Sequence, residues 1–496
     1  MKYLGKAGIF RRRYSPAESK AALPRVAVVQ WILAGLCVIT AVTSYEVRIY
    51  SQLAFLAQTM VLLSFILLVL VTHEVFKSRC IGKLCLVAGA FIFYWIDLFT
   101  LTEQRYPFAI PEGFPISVTQ FNQELIHEAL LYVSLFQLFL LVGYSIRPRL
   151  ERKLQFLAGR ADSVSFDRTL IAFVLIVCAF VPMLVYYGFD IDRAVSALWA
   201  SRSTTEFESP DPGLAQHLAL FGIYGASLFF VYALKVRTWR RLGWIVLGGL
   251  ATLPFISGGA RHVWLYISLP SLLIVLRGFK GSLTPSRALA LIIAAVFILF
   301  VAQLQIAYRT VGWSQIGQGA NDELLKLNTN GHFTALLFAE HLVPNEHPYF
   351  KQPAEFYFVI HWIPRQLWPS KPIMESWTYY NDSYVQGANL NVTPSVIGQF
   401  HMDWGLAGVI LIGTWLGFLA MLADRLLVML DSSRQKAMFV VTGMFYAFII
   451  SSFRFYSPIY FSYFVFGVVA MFLLTRRQRR PIERFSPVPA HASAQV

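Results

Sequence analysis

The sequence predicts an all-α polytopic membrane protein of about twelve transmembrane helices, and three observations predict it. Hydrophobic residues fill 56% of the 496 positions and charged residues only 14%, at a mean hydropathy of +0.56; a soluble domain carries about a quarter charged residues. Apolar runs long enough to cross ~30 Å of hydrocarbon recur along the whole chain. Lysine and arginine are sided: roughly 31 of the 42 fall in the two ends and in every second connection, as the positive-inside bias requires.

The apolar runs lie near 26–45, 53–76, 84–101, 125–146, 169–188, 214–234, 242–257, 263–276, 288–307, 405–423, 437–452 and 459–475. The first follows a basic start (Arg11, Arg12, Arg13) and lacks a small-residue cleavage site, so it reads as a retained span, not a signal peptide. Charge places 1–25, 77–83, 147–168, 235–241, 277–287, 424–436 and 476–496 in the cytoplasm, with both ends inside. Segment 147–168 is expected to lie as a basic amphipathic stretch on anionic headgroups. The tail from Pro481 is rich in Pro, Ser and Ala and is expected to be disordered. The resulting organisation is a basic N-terminus over 1–25, nine spans over 26–307, one large outer loop over 308–404, three spans over 405–475 and a tail over 476–496.

The net charge of +15 is thereby assigned to topology and anionic lipid, not to nucleic acid. Cys37, Cys80, Cys85 and Cys178 lie within spans or near the inner face, which argues against a disulfide framework, and no metal-ligand spacing is seen. No P-loop or dinucleotide fingerprint is present. No internal repeat supports an inverted-repeat transporter.

A loop as long as 308–404 is expected to be structured. Leu324, Leu325, Leu327, Phe333, Leu336, Leu337 and Ala339 predict an amphipathic surface helix over 322–342, interrupted at Gly331. Residues 350–363 are strongly aromatic. Pro364, Pro369 and Pro372 then make 363–372 a rigid turn presenting Arg365 and Lys371 at a fixed separation. Thr393-Pro394-Ser395 reads as a helix start whose free amides would face an anion on the outer side. Arg261, Arg309, Arg365, Lys371 and Arg454 all fall on this outer face, against the charge bias. A cation that resists the bias has something anionic to hold.

Ile-Pro-Arg-Gln-Leu-Trp-Pro-Ser-Lys-Pro at 363–372 resembles the outer-loop signature of bacterial oligosaccharide repeat-unit polymerases, the Wzy family. Thr-Pro-Ser-Val-Ile-Gly-Gln at 393–399, Asp-Trp-Gly-Leu-Ala-Gly at 403–408 and Ser257-Gly-Gly-Ala-Arg261 resemble further segments of that family, in the same order and sidedness. Gln399 departs from it, being often acidic in related sequences. The resemblance implies a metal-independent GT-C-type glycosyltransferase of the bacterial inner membrane, with 308–404 periplasmic. It would join undecaprenyl-pyrophosphate-linked oligosaccharides, with no cofactor and with a chain-length regulator as a possible partner.

Such a transfer needs a clamp for the leaving pyrophosphate, a base for the acceptor hydroxyl and a seat for sugar. The clamp falls to Arg261, Arg309, Arg365, Lys371 and Arg454, because guanidinium groups grip phosphate oxygens bidentately. Candidate bases are His332, Glu340, His341, Glu375, Asp382, His401 and Asp403, of which His332, Asp403 and Glu340 rank first. For sugar, Trp377, Tyr379, Tyr380, Asp382 and Trp404 combine stacking faces with a polar partner, although interfacial aromatics are equally common without a ligand. Asp97 and Glu128 are charges within the apolar runs, either functional or paired near a span end. The rival readings are an O-antigen ligase, which differs in acceptor, and a flippase, which would line a mid-membrane cavity with charge.

Overall fold

The computed structural model describes residues 23–47, 53–78, 80–98, 123–146, 156, 160–162, 168–193, 213–236, 239–257, 261–278, 332–352, 357, 360, 363, 367–372, 374–384, 393–430 and 435–477. These residues are helical almost throughout. In order they form α1 (Leu23–Val47), α2 (Leu53–Ser78), α3 (Ile81–Leu98), α4 (Gln123–Ser145), β1 (Arg160–Asp162), α5 (Arg168–Tyr186), α6 (Gly213–Lys235) and α7 (Arg240–Ser257). There follow α8 (Arg261–Gly278), α9 (His332–Leu342), α10 (Glu375–Tyr384), α11 (Ser395–Met429), α12 (Lys436–Ser452), α13 (Pro458–Leu474) and β2 (Thr475–Arg477).

Every predicted span coincides with one of these helices except 288–307, which lies outside the described residues. Five helical segments are long and apolar enough to cross a membrane: Phe55–Val75, Ile81–Leu98, Leu125–Ser145, Leu218–Lys235 and Ser395–Met429. Large apolar side chains such as Phe55, Phe173 and Leu473 are exposed along the outside, which is where lipid replaces water. The protein is a helical membrane protein.

Between helices the bundle lacks the hydrophobic drive of a soluble core, so close backbone approach does the packing. α4 and α11 lie along each other with glycine at the contact. A Cβ on Gly143 would stand 1.9 Å from the Thr414 carbonyl oxygen, and one on Gly417 would stand 2.1 Å from that of Leu140. α8 and α12 repeat the device, with Gly443 against Pro270.

Two buried aspartates cap helices from a distance. Asp97, near the end of α3, accepts from the Phe333 and Thr334 amides at 2.7 and 3.3 Å and so seats the start of α9. Asp424 on α11 accepts from the Gly82 amide (2.7 Å), Tyr446 (2.6 Å) and Tyr144 (2.5 Å), which seats the start of α3. Beside it Lys83 pairs with Glu74 at 2.9 Å, and both bond Gln30. α3 thus spans between two ends of the bundle, each sealed by a carboxylate on orphan amides.

Three expectations change. The helix over 322–342 begins, among the described residues, at His332, and it is not a surface helix: most of its residues on all sides are buried against α3, α4 and α11. Its sequence has no polar face to show to water. Segment 147–168 does not lie free throughout, because Arg160–Asp162 pairs antiparallel with Thr475–Arg477 and Gln435 donates to the Arg160 carbonyl at 2.7 Å. Arg476 and Arg477, assigned to the tail, therefore belong to β2.

Candidate functional site

α11 is two helices joined by a break. Gly405 has φ +60° and ψ −145°, far from helical values. The chain folds so sharply there that a Cβ on Gly408 would meet the Phe400 carbonyl oxygen at 2.1 Å; in a straight helix these residues are ~12 Å apart. A break leaves carbonyls without their i+4 donors. Met402 and Asp403 carbonyls are supplied instead by the amides of Phe350 and Lys351, at 3.1 and 2.9 Å, while the Trp404 indole donates to the Gln352 carbonyl at 3.0 Å. Residues 349–352 are therefore a strap laid across the broken helix. The physical content of Asp-Trp-Gly-Leu-Ala-Gly at 403–408 is this fold-back.

The arm before the break, 395–404, is buried apart from Trp404. Its start differs from expectation. Ser395, not Thr393, caps it, with its hydroxyl accepting from the Gly398 amide at 3.2 Å. The Val396 amide goes to the Phe453 carbonyl (3.4 Å) and that of Ile397 to the Tyr94 hydroxyl (3.5 Å). These amides are occupied, so the anion seat expected at this N-terminus is not there. Gln399 is also structural: its side chain accepts from the Tyr456 amide at 3.0 Å and donates to the Tyr456 carbonyl at 3.4 Å.

Under the strap, α4, α9 and the short arm bring acid–base groups together. Tyr132 donates to Glu128, one turn away on α4, at 2.5 Å. The Tyr132 ring packs on His401 at 5.0 Å between centroids, and Tyr349 of the strap meets the other side of that imidazole edge-on at 5.9 Å. The Val343 carbonyl lies 2.7 Å from His401 Nε2. A carbonyl can only accept, so Nε2 carries hydrogen, and the buried Nδ1, which has no hydrogen-bond partner, offers a lone pair. Glu340 completes the group. It is 2% exposed, with neither carboxyl oxygen hydrogen-bonded. Burial, with the Glu128 charge adding, holds its carboxyl well above the ordinary carboxylate range.

Of the three first-ranked bases, only Glu340 joins this cluster. His332 is buried at the first turn of α9, edge-on to Phe93 at 5.0 Å, two turns (~12 Å) from Glu340 along the helix. Asp403 is buried beyond the short arm on the side of Tyr357, whose hydroxyl its charge affects. Sequence reasoning weighed His401 and Glu128 without uniting them, and missed Tyr132 and Tyr349. The Glu128–Tyr132 spacing of four on a helix was the available signal.

The cations separate. Arg309 and Arg365 lie outside the described residues. Arg261 opens α8. Lys371 donates to the Ile363 carbonyl at 3.0 Å, closing the 363–372 turn on itself. Arg454 follows the end of α12 with its Nε buried and unpartnered, and its charge acts on Tyr460 and on His262, the residue after Arg261. His262 is in turn 3.0 Å from the Tyr463 hydroxyl. Arg454 thus acts on the first turn of α8 and lies at the same end of the bundle as α9, because Phe453 touches Tyr94 and the short arm.

The aromatic seat is divided by helical geometry. α10 turns about 100° per residue, so its side chains diverge. Tyr380 is fully buried and donates to the Ala335 carbonyl at 3.3 Å, so it is core and presents no face to a sugar. Tyr379 packs on His347 and Phe350. Trp377 sits with Met374, Tyr357 and Phe455 in a separate apolar cluster, while Asp382 is exposed. Trp404 is 46% exposed beside the strap. Among the described residues no group of histidine, cysteine, aspartate and glutamate is arranged to hold a metal ion.

No family model, no curated protein and no solved structure matches the chain.

Proposed function

We propose that this protein is a polymerase of lipid-linked oligosaccharides, a twelve-span GT-C-type glycosyltransferase of the bacterial inner membrane with both termini cytoplasmic. It would transfer a growing glycan en bloc from undecaprenyl pyrophosphate to the next lipid-linked unit on the periplasmic face, without cofactor. A chain-length regulator would act with it. The motif resemblance motivates the reading. The observation that carries it is the position of Arg454, with its Nε buried and unpartnered and its charge acting on His262, at the end of the bundle that also holds the Glu128, Glu340 and His401 cluster.

In this reading the acceptor hydroxyl loses a proton as its oxygen attacks the anomeric carbon, and the bond from that carbon to the pyrophosphate oxygen breaks. Arg261 and Arg454, joined by Arg309 and Arg365, carry the charge that develops on the leaving group. Lys371 fixes the turn bearing Arg365 by its bond to Ile363. The glycan lies toward the exposed indole of Trp404.

The buried, unpartnered carboxyl of Glu340 also favours a second reading, a proton-driven flippase, since ionisable groups inside membrane bundles mark proton paths. One experiment separates the readings. Purified protein is given undecaprenyl-pyrophosphate-linked repeat units from its native host, and the products are run on a gel. A ladder with released lipid pyrophosphate supports the polymerase. Transfer only when lipid A core is supplied makes it an O-antigen ligase. Neither product, with lipid movement across vesicles, makes it a flippase.

A further inference from the structure

We propose that Glu128 is the catalytic base of this site, with Tyr132 as the group that positions it and Glu340 and His401 as the buried groups behind it. The proposal rests on the polymerase reading and names the proton-handling residues within it.

Access singles out Glu128. Glu340 and His401 are 2% and 1% exposed, so neither reaches a sugar hydroxyl while the strap is in place. Glu128 is half-buried at the rim, one turn above the buried Tyr132. The Tyr132 hydroxyl holds one of its oxygens at 2.5 Å, which fixes the carboxylate rotamer and leaves the second oxygen for a ligand.

The residues behind it fix its surroundings. Tyr132 touches both Glu128 and the His401 ring. The Val343 carbonyl fixes the His401 tautomer, so that Nδ1 bears the free lone pair in a buried setting. Glu340, without a hydrogen-bond partner, is pushed toward its neutral form by burial and then by the Glu128 charge. The titratable groups packed around the pair are Tyr132 on α4, His401 on the short arm and Tyr349 on the strap.

The step balances as follows. The acceptor O–H bond breaks and its proton binds the free oxygen of Glu128. The acceptor oxygen forms its bond to the anomeric carbon, and the electron pair of the broken bond leaves on pyrophosphate. The Glu128 proton is then released to water, which restores the carboxylate for the next transfer. No oxidant, metal or nucleotide enters.

Two measurements on the full chain test this separately. The first is infrared spectroscopy of the purified protein through a pH titration, which reads the protonated-carboxyl band without any substrate. E340Q is expected to remove a band that persists above neutral pH, and E128Q to shift its disappearance to lower pH. A band untouched by either substitution overturns the paired carboxyls, whatever polymer is made. The second is the polysaccharide ladder produced in the native host lacking its own copy. E128Q is expected to lower polymer by ~100-fold or more, the usual worth of a general base, with E128D partly restoring it. Polymer at wild-type level in E128Q, with the protein present in the membrane, overturns the base. If E128Q moves the band but the wild-type chain makes no polymer, the polymerase reading and the base role with it are overturned, while the paired carboxyls stand.

Discussion

Replacing Gly405 by alanine should open the fold at the strap, and the cost follows from two features of that position. Its φ of +60° with ψ of −145° belongs to a region that L-residues scarcely enter, worth about 1–3 kcal/mol of strain. A Cβ there would also stand 3.1 Å from the Tyr349 ring, closer than ordinary contact, so the ring must move off His401 or the break must straighten. Straightening would cost more, because it tears the Phe350 and Lys351 amides from the Met402 and Asp403 carbonyls. We expect Gly405→Ala to lose about 2–3 kcal/mol in all. Gly249→Ala in α7 is the matched control: nothing lies within 4 Å of its Cβ, and alanine in a helix interior is better than glycine by about 0.5–1 kcal/mol. The free cysteines, of which Cys37 and Cys85 are buried, allow a thiol-reactive dye to follow thermal unfolding in detergent. The expected order of midpoints is Gly249→Ala, wild type, Gly405→Ala. In Gly405→Ala/Tyr349→Ala the contact with the ring is relieved and the backbone strain remains, so the double variant should recover part of the loss. A Gly405→Ala midpoint equal to or above wild type would refute the account of the break.

Asp97→Ala removes the acceptor that two α9 amides share and should cost about 1–2 kcal/mol, read in the same dye assay; an unchanged midpoint would mean that packing alone seats α9. Gly417→Val would drive its side chain into the Leu140 carbonyl and should abolish the monodisperse peak on size exclusion, whereas Gly35→Ala, with nothing within 4 Å, should not. Glu340 binds its proton more tightly in the folded protein than when unfolded. Stability from this group is therefore fully present below the ordinary carboxylate pKa and is lost as pH rises toward the raised folded value. Glu340→Gln removes that dependence, so the unfolding midpoints of variant and wild type should diverge in favour of the variant as pH rises above the ordinary carboxylate range; parallel curves would show that Glu340 is ionised or solvated.

Local signals carried the helices. Hydropathy reports whether a stretch prefers lipid, and it placed α1 to α8, α12 and α13 close to their observed limits. Capping residues, not hydropathy, found the start of α11 to within two residues, through the proline and hydroxyls at 393–395. The same signals failed where a residue's environment comes from another helix. The apolar pattern of 332–342 says that the helix is buried but not in what, so a surface was expected where α3, α4 and α11 surround it. The run of aromatics at 377–380 looked like one face and became three.

By itself, then, the sequence determined a helical membrane protein and the order of its apolar segments. Each of these depends on the side chain and its near neighbours. The helix from 393, by contrast, was expected to run on through Gly405 and Gly408, where the structure breaks it. The tertiary structure alone decided which carboxyls are paired and which are alone. Glu128, Glu340 and His401 come from three helices, and their chemistry is set by the loss of water and by one another's charge. Both arise only when packing closes the space between those helices.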